Sequence, residues 1–193
     1  LFRTLAGSSF AKLPSRGANA AMVFVVATLA VRTQLALVPM LKQFSSLGLT
    51  GTLPAVILPW LVTAFGVFFM RQYLVDAIPD ELIDAARVDG ASMIRTFWTV
   101  ALPAARPAMA ILGLFTFMQV WTDFMWPLIV LQGSDVQTLQ TALDALKVAP
   151  GQGHADMALV QAGTILATVP LLLLFIATGR QLVSGIMQGA VKG

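Results

Sequence analysis

Between Lys42 and Arg71 the chain carries no charged side chain, and a second such gap covers 157–179. A helix needs roughly 20 mainly apolar residues to cross the hydrocarbon core of a bilayer. Lipid offers no partner to backbone N–H and C=O groups, so a spanning segment of this kind must be a helix that satisfies its own backbone. Four stretches have the necessary length: about 20–40, interrupted by Arg32; about 53–70; about 108–131, interrupted by Asp123; and about 157–179. Charged residues make up only 11% of the chain, against about 25% in an ordinary soluble domain. So little charge cannot cover a water-facing surface. The expected fold class is therefore all-α, a polytopic membrane helical bundle forming one domain over 1–193. Pro39, Pro54, Pro59, Pro127 and Pro170 lie in or near the spans. Prolines are tolerated there when neighbouring helices, side chains or water satisfy the freed backbone groups, so kinked helices in a bundle are expected rather than a simple anchor. The opening "LFRTLAGSSFAKLPSRG" reads as the tail of an apolar helix, which predicts that the sequence starts partway through a longer protein.

The basic residues set an orientation. Arg3, Lys12 and Arg16 precede the first stretch; Arg71, Arg87, Arg95 and Arg106 lie between the second and third; Arg180 and Lys192 follow the fourth. The alternate connections hold Lys42 and Lys147 alone. Nine bases against two predict that loop 71–107 and the C-terminus face the cytoplasm. The outer loop, about 132–156, contains "APGQGH" at 149–154 and reads as irregular. His154 is the single histidine and cysteine is absent, so neither a multi-histidine nor a thiolate metal site is expected. No glycine-rich phosphate loop and no nucleophile–histidine arrangement is evident. The net charge of +3 is too small to point to nucleic acid. Neither catalysis nor a bound cofactor is expected of this chain.

Five of the nine acidic residues fall between Asp76 and Asp89, in the longest cytoplasmic segment, 76–106. Pro79 followed by Asp80 and Glu81 is a helix start, because proline fits the first turn and early acids complement the helix dipole. Leu82, Ile83, Ala85 and Ala86 supply an apolar, small-residue surface, with Asp84 and Arg87 on a shared side. Gly90 stands where a helix terminates in a positive φ. Ser92 is placed to cap a second helix containing Ile94, Phe97, Trp98 and Val100. Leu102–Pro103 is expected to close that helix, with Pro107 marking the return to the bilayer. Two readings are open on these residues. One is a loop packed on its own helices. The other is a knob whose alanines allow close approach of a soluble partner and whose Asp84 pairs with that partner's arginine.

Asp84-Ala85-Ala86, three residues, Gly90, nine residues, then Val100-Ala101-Leu102-Pro103 resembles the "EAA" motif of binding-protein-dependent ABC importer permeases. The family pattern has Glu where this chain has Asp84 and Ile where it has Val100; the spacing is the same. "IPDELIDAARVDGAS", "LPAARPAMAILGLFTFMQVWTDFMWPLIVL" and the terminal "GAVKG" look like the carbohydrate-transport branch, the maltose-transporter type. The resemblance implies six spans in the whole subunit, of which four are present here, with 1–13 similar to the end of the second. It implies that Glu81, Leu82, Asp84, Ala85, Ala86, Gly90, Leu102 and Pro103 belong to a coupling segment seated in a cleft of a separate ATPase. The implied partners are an ATP-binding cassette ATPase dimer holding ATP and Mg, a second and non-identical permease, an extracytoplasmic solute-binding protein, and a sugar. The implied location is a bacterial-type inner membrane.

Two intramembrane charges remain. Arg32 and Asp123 are costly in hydrocarbon and should face protein or water, either pairing structurally or lining a pathway. Gln119, Trp121, Thr122, Asp123 and Trp126 offer hydrogen bonds and aromatic faces suited to a sugar. Aromatic residues are also common at membrane interfaces. Two rival readings are an ion-coupled carrier or channel using Arg32 and Asp123, and a purely structural membrane subunit. Neither accounts for the spaced motif. An importer of a non-sugar solute is a third alternative.

Overall fold

The computed structural model describes residues 2–12, 18–148 and 157–190, and every regular element among them is a helix. The segment 149–154 with His154, together with Arg16 and Lys192, lies outside the described residues. In order the helices are α1 (Phe2–Lys12), α2 (Ala18–Leu29), α3 (Thr33–Ser46), α4 (Leu53–Leu61), α5 (Ala64–Ala77), α6 (Asp80–Val88) and α7 (Met93–Thr96). A π turn (Phe97–Ala101) leads into α8 (Leu102–Thr122), followed by α9 (Met125–Val130), α10 (Leu139–Ala145), a 3₁₀ turn (Leu146–Val148) and α11 (Met157–Ala190). Three helical stretches are long and apolar enough to cross a membrane: Leu53–Ala77, Met93–Thr122 and Met157–Thr178. A fourth is available if Ala20–Leu29 and Gln34–Ser46 count as one span bent by 109°.

The boundaries differ from the sequence reading in four places, each with a local cause. The stretch 20–40 is not straight: it turns at Ala30–Arg32, where Arg32 takes an extended conformation ahead of α3 and stays exposed. The stretch 108–131 is broken after Thr122, and Asp123 and Phe124 separate α8 from α9. Leu102–Pro103 does not close a helix. The π turn widens the ladder by one residue, so that the Leu102 N–H donates to Phe97 O, and α8 continues through Pro103 and Pro107. In a regular α-helix the ring of Pro103 would collide with the carbonyl four residues earlier, and a π turn is one of the few ways to carry the chain past it. The loop 132–156 also holds more structure than its glycines imply. The Thr138 side chain accepts from the Thr141 N–H, and the Thr141 hydroxyl accepts from the Thr138 N–H, in a capping box that starts α10.

The chain divides into two compact units. The first comprises Leu1–Leu47 and Ile57–Leu114. Its core is a continuous apolar cluster of Met70, Leu74 and Ile78 from the end of α5, Ile83 from α6, Phe97 and Ala101 from the π turn, and Ala105, Ala108 and Leu112 from α8. Burying an aliphatic or aromatic side chain of this kind contributes about 1.5–3 kcal/mol. Helix α1 runs parallel to α5, with Arg3 beside Gly66 and Gly7 beside Met70. A Cβ on Gly7 would lie 2.7 Å from Met70 Cβ, so glycine is what lets the two helices approach. Arg3 is a correction to the sequence reading. Counted there among the bases flanking the first span, it is buried to 8% exposure and donates to the Trp60 carbonyl.

The second unit comprises Gly48–Val56 and Phe115–Gly193. Gly51, in a positive-φ turn, donates its N–H to Val130 O at 2.8 Å, and Ser134 Oγ donates to Gly51 O at 2.8 Å. The 34 residues of α11 rise about 51 Å at about 1.5 Å each. That exceeds a hydrocarbon core of about 30 Å. The helix therefore continues past the stretch Met157–Thr178 that could cross a membrane, as far as Ala190.

Candidate functional site

The polar segment between α5 and α8 is built from a sequence of local decisions. Ile78 sits in extended backbone, as a residue preceding proline prefers, and ends α5. The Leu82 N–H then closes the first turn of α6 on Pro79 O at 3.2 Å. At the other end of α6 the Ala91 N–H reaches back to Ala86 O at 2.9 Å across Gly90, whose φ is +71°. This six-to-one bond with a left-handed residue inside it is a Schellman termination. A Cβ on Gly90 would meet nothing within 4 Å, so backbone conformation alone demands glycine there. Ser92 accepts from the Arg95 N–H at 3.3 Å and starts the next helix. The helix start, the turn and the cap fall on the residues from which the sequence predicts them.

Among the described side chains of α6, Ile83 is the buried one. Ile83 is buried among Leu74, Ile78 and Phe97, while Glu81, Leu82, Asp84 and Ala85 are exposed and Ala86 is half-buried. Leu102 is half-buried against the core cluster and Pro103 is exposed. The same segment exposes Val88 at 88%, Ile94 at 73%, Met93 at 62% and Trp98 at 52%. Val88 lies on the polar helix α6, whereas Met93, Ile94 and Trp98 fall within the stretch Met93–Thr122 that is apolar enough to cross a membrane. Near Val88 the small side chains of Ala85 and Ala86 leave room for close approach of another backbone. The sequence reading did not single out Val88, Met93 or Trp98 as surface; helical phase relative to Ile83 is the signal that places Val88 outward.

The second candidate set is brought together only in part. Trp121, Thr122 and Asp123 adjoin one another at the end of α8, and Gln119 is exposed about one turn earlier. The Trp121 ring stacks on Phe117 with centroids 5.3 Å apart, and its indole N–H donates to Ala167 O of α11 at 3.0 Å. Thr122 Oγ1 donates to Met118 O at 2.8 Å. Asp123 is half-buried, with one carboxylate oxygen out of reach of solvent. Trp126 stands apart from these: it is 4% exposed, and its indole N–H donates to Ala55 O at 2.9 Å, which makes it a fastening of the second unit. Beside Thr122 lies a cavity of about 350 Å³ lined by Phe124, Gln140, Asp144, Lys147 and Thr164 among others. Lys147 Nζ pairs with Asp144 Oδ1 at 3.0 Å, and Gln140 Nε2 donates to Trp121 O at 3.1 Å. Nothing in the sequence spacing pointed to Gln140 or Lys147, because α10 itself was not expected.

No group of three or more metal-ligating side chains occurs among the described residues. The two candidate sets are thus an exposed, capped helix and a polar cluster at the end of the apolar stretch Met93–Thr122.

Comparison with known proteins gives concordant matches. Residues 3–185 match the family described as "Binding-protein-dependent transport system inner membrane component". The chain is 34% identical over 193 residues to the arabinooligosaccharides transport system permease protein AraQ of Halalkalibacterium halodurans, covering 100% of this chain and 68% of that protein. It is 36% identical over 192 residues to the lactose transport system permease protein LacG of Rhizobium radiobacter, again covering 100% and 68%. The fold is similar to a chain of a bacterial ABC transporter involved in the import of the acidic polysaccharide alginate, with a TM-score of 0.75 and 20% identity over 93% of this chain and 70% of that one.

Proposed function

Because the chain belongs to the family of binding-protein-dependent transport system inner membrane components, we propose that it is a multi-pass inner-membrane permease subunit of an ABC importer, forming half of a translocation pathway for a sugar or oligosaccharide. The observation that carries the coupling part of this reading is the exposed, rigidly capped segment from α6 to the π turn. Leu82, Ala85, Val88 and Ile94 face outward from it, and Ile83 ties it to the ends of two spans. A separate ATP-binding cassette dimer, holding ATP and Mg, receives this segment, with Glu81 and Asp84 facing the partner's cations. When nucleotide closes the dimer, α6 is carried with it. Ile83 passes the displacement to Leu74 and Phe97, and so to α5 and α8. Alternating access is largely rigid-body motion of this sort.

The sugar class rests on the names of the relatives, which read arabinooligosaccharides and lactose. A second permease completes the pathway, and an extracytoplasmic binding protein delivers the solute to it. The orientation follows from the bases: with Arg3 inside the first unit, eight of the original nine remain on the side of α6, against Lys42 and Lys147 on the other. The parallel course of α1 and α5 is in keeping with this, since both end toward that side. Trp121, Thr122 and Asp123, with Gln119 nearby, are the groups proposed to line the pathway. No chemistry is assigned to the chain itself.

The test is crosslinking in intact cells. A cysteine at Ala85, in a chain with no cysteine of its own, should capture an ATPase subunit, and capture should change with nucleotide. If Ala85→Cys and Ala86→Cys both fail to trap an ATPase in cells that import the sugar, the coupling reading is wrong.

A further inference from the structure

The longest uncharged run of the chain, 43–70, contains a break, and the break is latched. Helix α4 ends at Leu61 and α5 begins at Ala64, within the single apolar stretch Leu53–Ala77. A helix end inside a membrane leaves carbonyls that no water can satisfy. Both sides of this one are capped by side chains. On the α5 side, Thr63 takes extended backbone and its hydroxyl accepts from the Gly66 N–H at 3.2 Å. On the α4 side, the Arg3 guanidinium donates to the Trp60 carbonyl. A fixed positive charge at the C-terminal end of a helix is favoured by the helix dipole as well. The arginine reaches that carbonyl only by passing over Gly66, where an added Cβ would collide with Arg3 Cδ and lie 3.0 Å from Thr63 Oγ1.

The same helix pair connects the break to the docking segment. From Arg3 and Gly66 the contact continues one turn along to Gly7 and Met70. Met70 is fully buried in the core cluster, which then includes Leu74, Ile78 and Ile83 of α6. A continuous packed line therefore runs from the coupling helix to the break in the span.

We propose that Arg3 is a positioning residue for transport: by clamping the end of α4 to α1 while α1 is packed along α5, it makes the broken span move as one body when α6 is displaced. This rests on the importer reading above, and it assigns to Arg3, Gly66 and Thr63 a role in transmission, separate from contact with solute or ATPase. Without the clamp, α5 follows the coupling helix while α4 lags, and displacement at the cytoplasmic side is lost at the joint.

The test uses the full transporter in lipid nanodiscs, with spin labels on cysteines introduced at Leu5 and Ile57, which are 50% and 53% exposed. These labels report α1 against α4. In the otherwise unaltered chain the distance distribution should be narrow. Gly66→Ala should broaden it and lower the ratio of binding-protein-stimulated to unstimulated ATP hydrolysis by about twofold to thirtyfold, the range expected for a residue on a coupling route. Arg3→Lys keeps the charge and length but loses the planar fork, and should give an intermediate ratio and width. A narrow distribution with an unaltered ratio in Gly66→Ala overturns the proposal. If Gly66→Ala does not assemble, Arg3→Lys decides: wild-type width and ratio in that variant overturn it equally. Absence of an ATPase partner or of solute uptake in the unaltered transporter defeats the importer reading instead, and the label distances still report on the clamp.

Discussion

At Gly90 a single torsion angle carries the shape of the segment proposed to dock. The residue has φ +71° and open space where a side chain would go. An L-residue in that region costs about 1–2 kcal/mol, with no clash to add. Gly90→Ala should therefore leave membrane insertion and assembly intact and weaken the end of α6 by about that amount. Faster backbone amide exchange over residues 84–91 would show it. Gly90→Val adds β-branching to the same strain and should depress solute-stimulated ATP hydrolysis further; normal transport by Gly90→Val would remove the turn from the mechanism. Residue identity made this legible. A glycine after DELIDAARVD has few other uses, and the Ser92 cap two positions later is equally plain. Arg3 was not legible. Its charge places it beside a membrane span by rule, and only the third dimension brings it past Gly66 to the carbonyl of Trp60.

At the scale of elements, Ile83 is the side chain that fixes α6 in the core cluster, among those the structure describes. Leu82, Val88 and Asp84 are exposed, so truncating Ile83 removes the anchor while leaving the proposed docking surface in place. Ile83→Ala should cost about 2–5 kcal/mol in packing at this site. The expected signature is a coupling helix that still binds the ATPase but transmits poorly: crosslinking from Ala85→Cys is retained, and uptake per ATP hydrolysed falls. Loss of crosslinking together with uptake would mean instead that Ile83 shapes the docking surface itself. The reading of start and stop signals found the helices of this region through Pro79, Gly90 and Ser92. It misjudged the end at Leu102–Pro103. Pro103 and Pro107 read as punctuation, yet both lie inside α8, and for Pro103 the π turn ahead of it makes room. Helix α10 was missed for the opposite reason. Its Thr138–Thr141 box is a weak signal beside the Gly and Pro of the same loop.

At the scale of the whole molecule, the strongest sequence signal was the absence of charge over long stretches, which identified the lipid-crossing helices without reference to packing. The breaks at Arg32 and Asp123 fall on charged residues inside otherwise apolar runs, and the one at Val62–Thr63 has no such marker. The proposed orientation makes a direct prediction. A membrane-impermeant thiol reagent applied to intact, outer-membrane-permeabilised cells should label Asp135→Cys, in the connection before α10, and leave Val88→Cys untouched until the inner membrane is opened. Reversed labelling would invert the topology and with it the coupling reading. The π turn between α7 and α8 also has an evolutionary reading. Five residues occupy a turn that an α-helix would close with one fewer, so the extra residue is taken up with the helices on either side kept in phase. Deleting the exposed Thr99 would remove that slack, and the Pro103 ring would meet the carbonyl four residues before it. The helix would then kink at the head of α8 while every other side chain kept its chemistry. A single lost codon at an exposed threonine would thus be felt as a proline break.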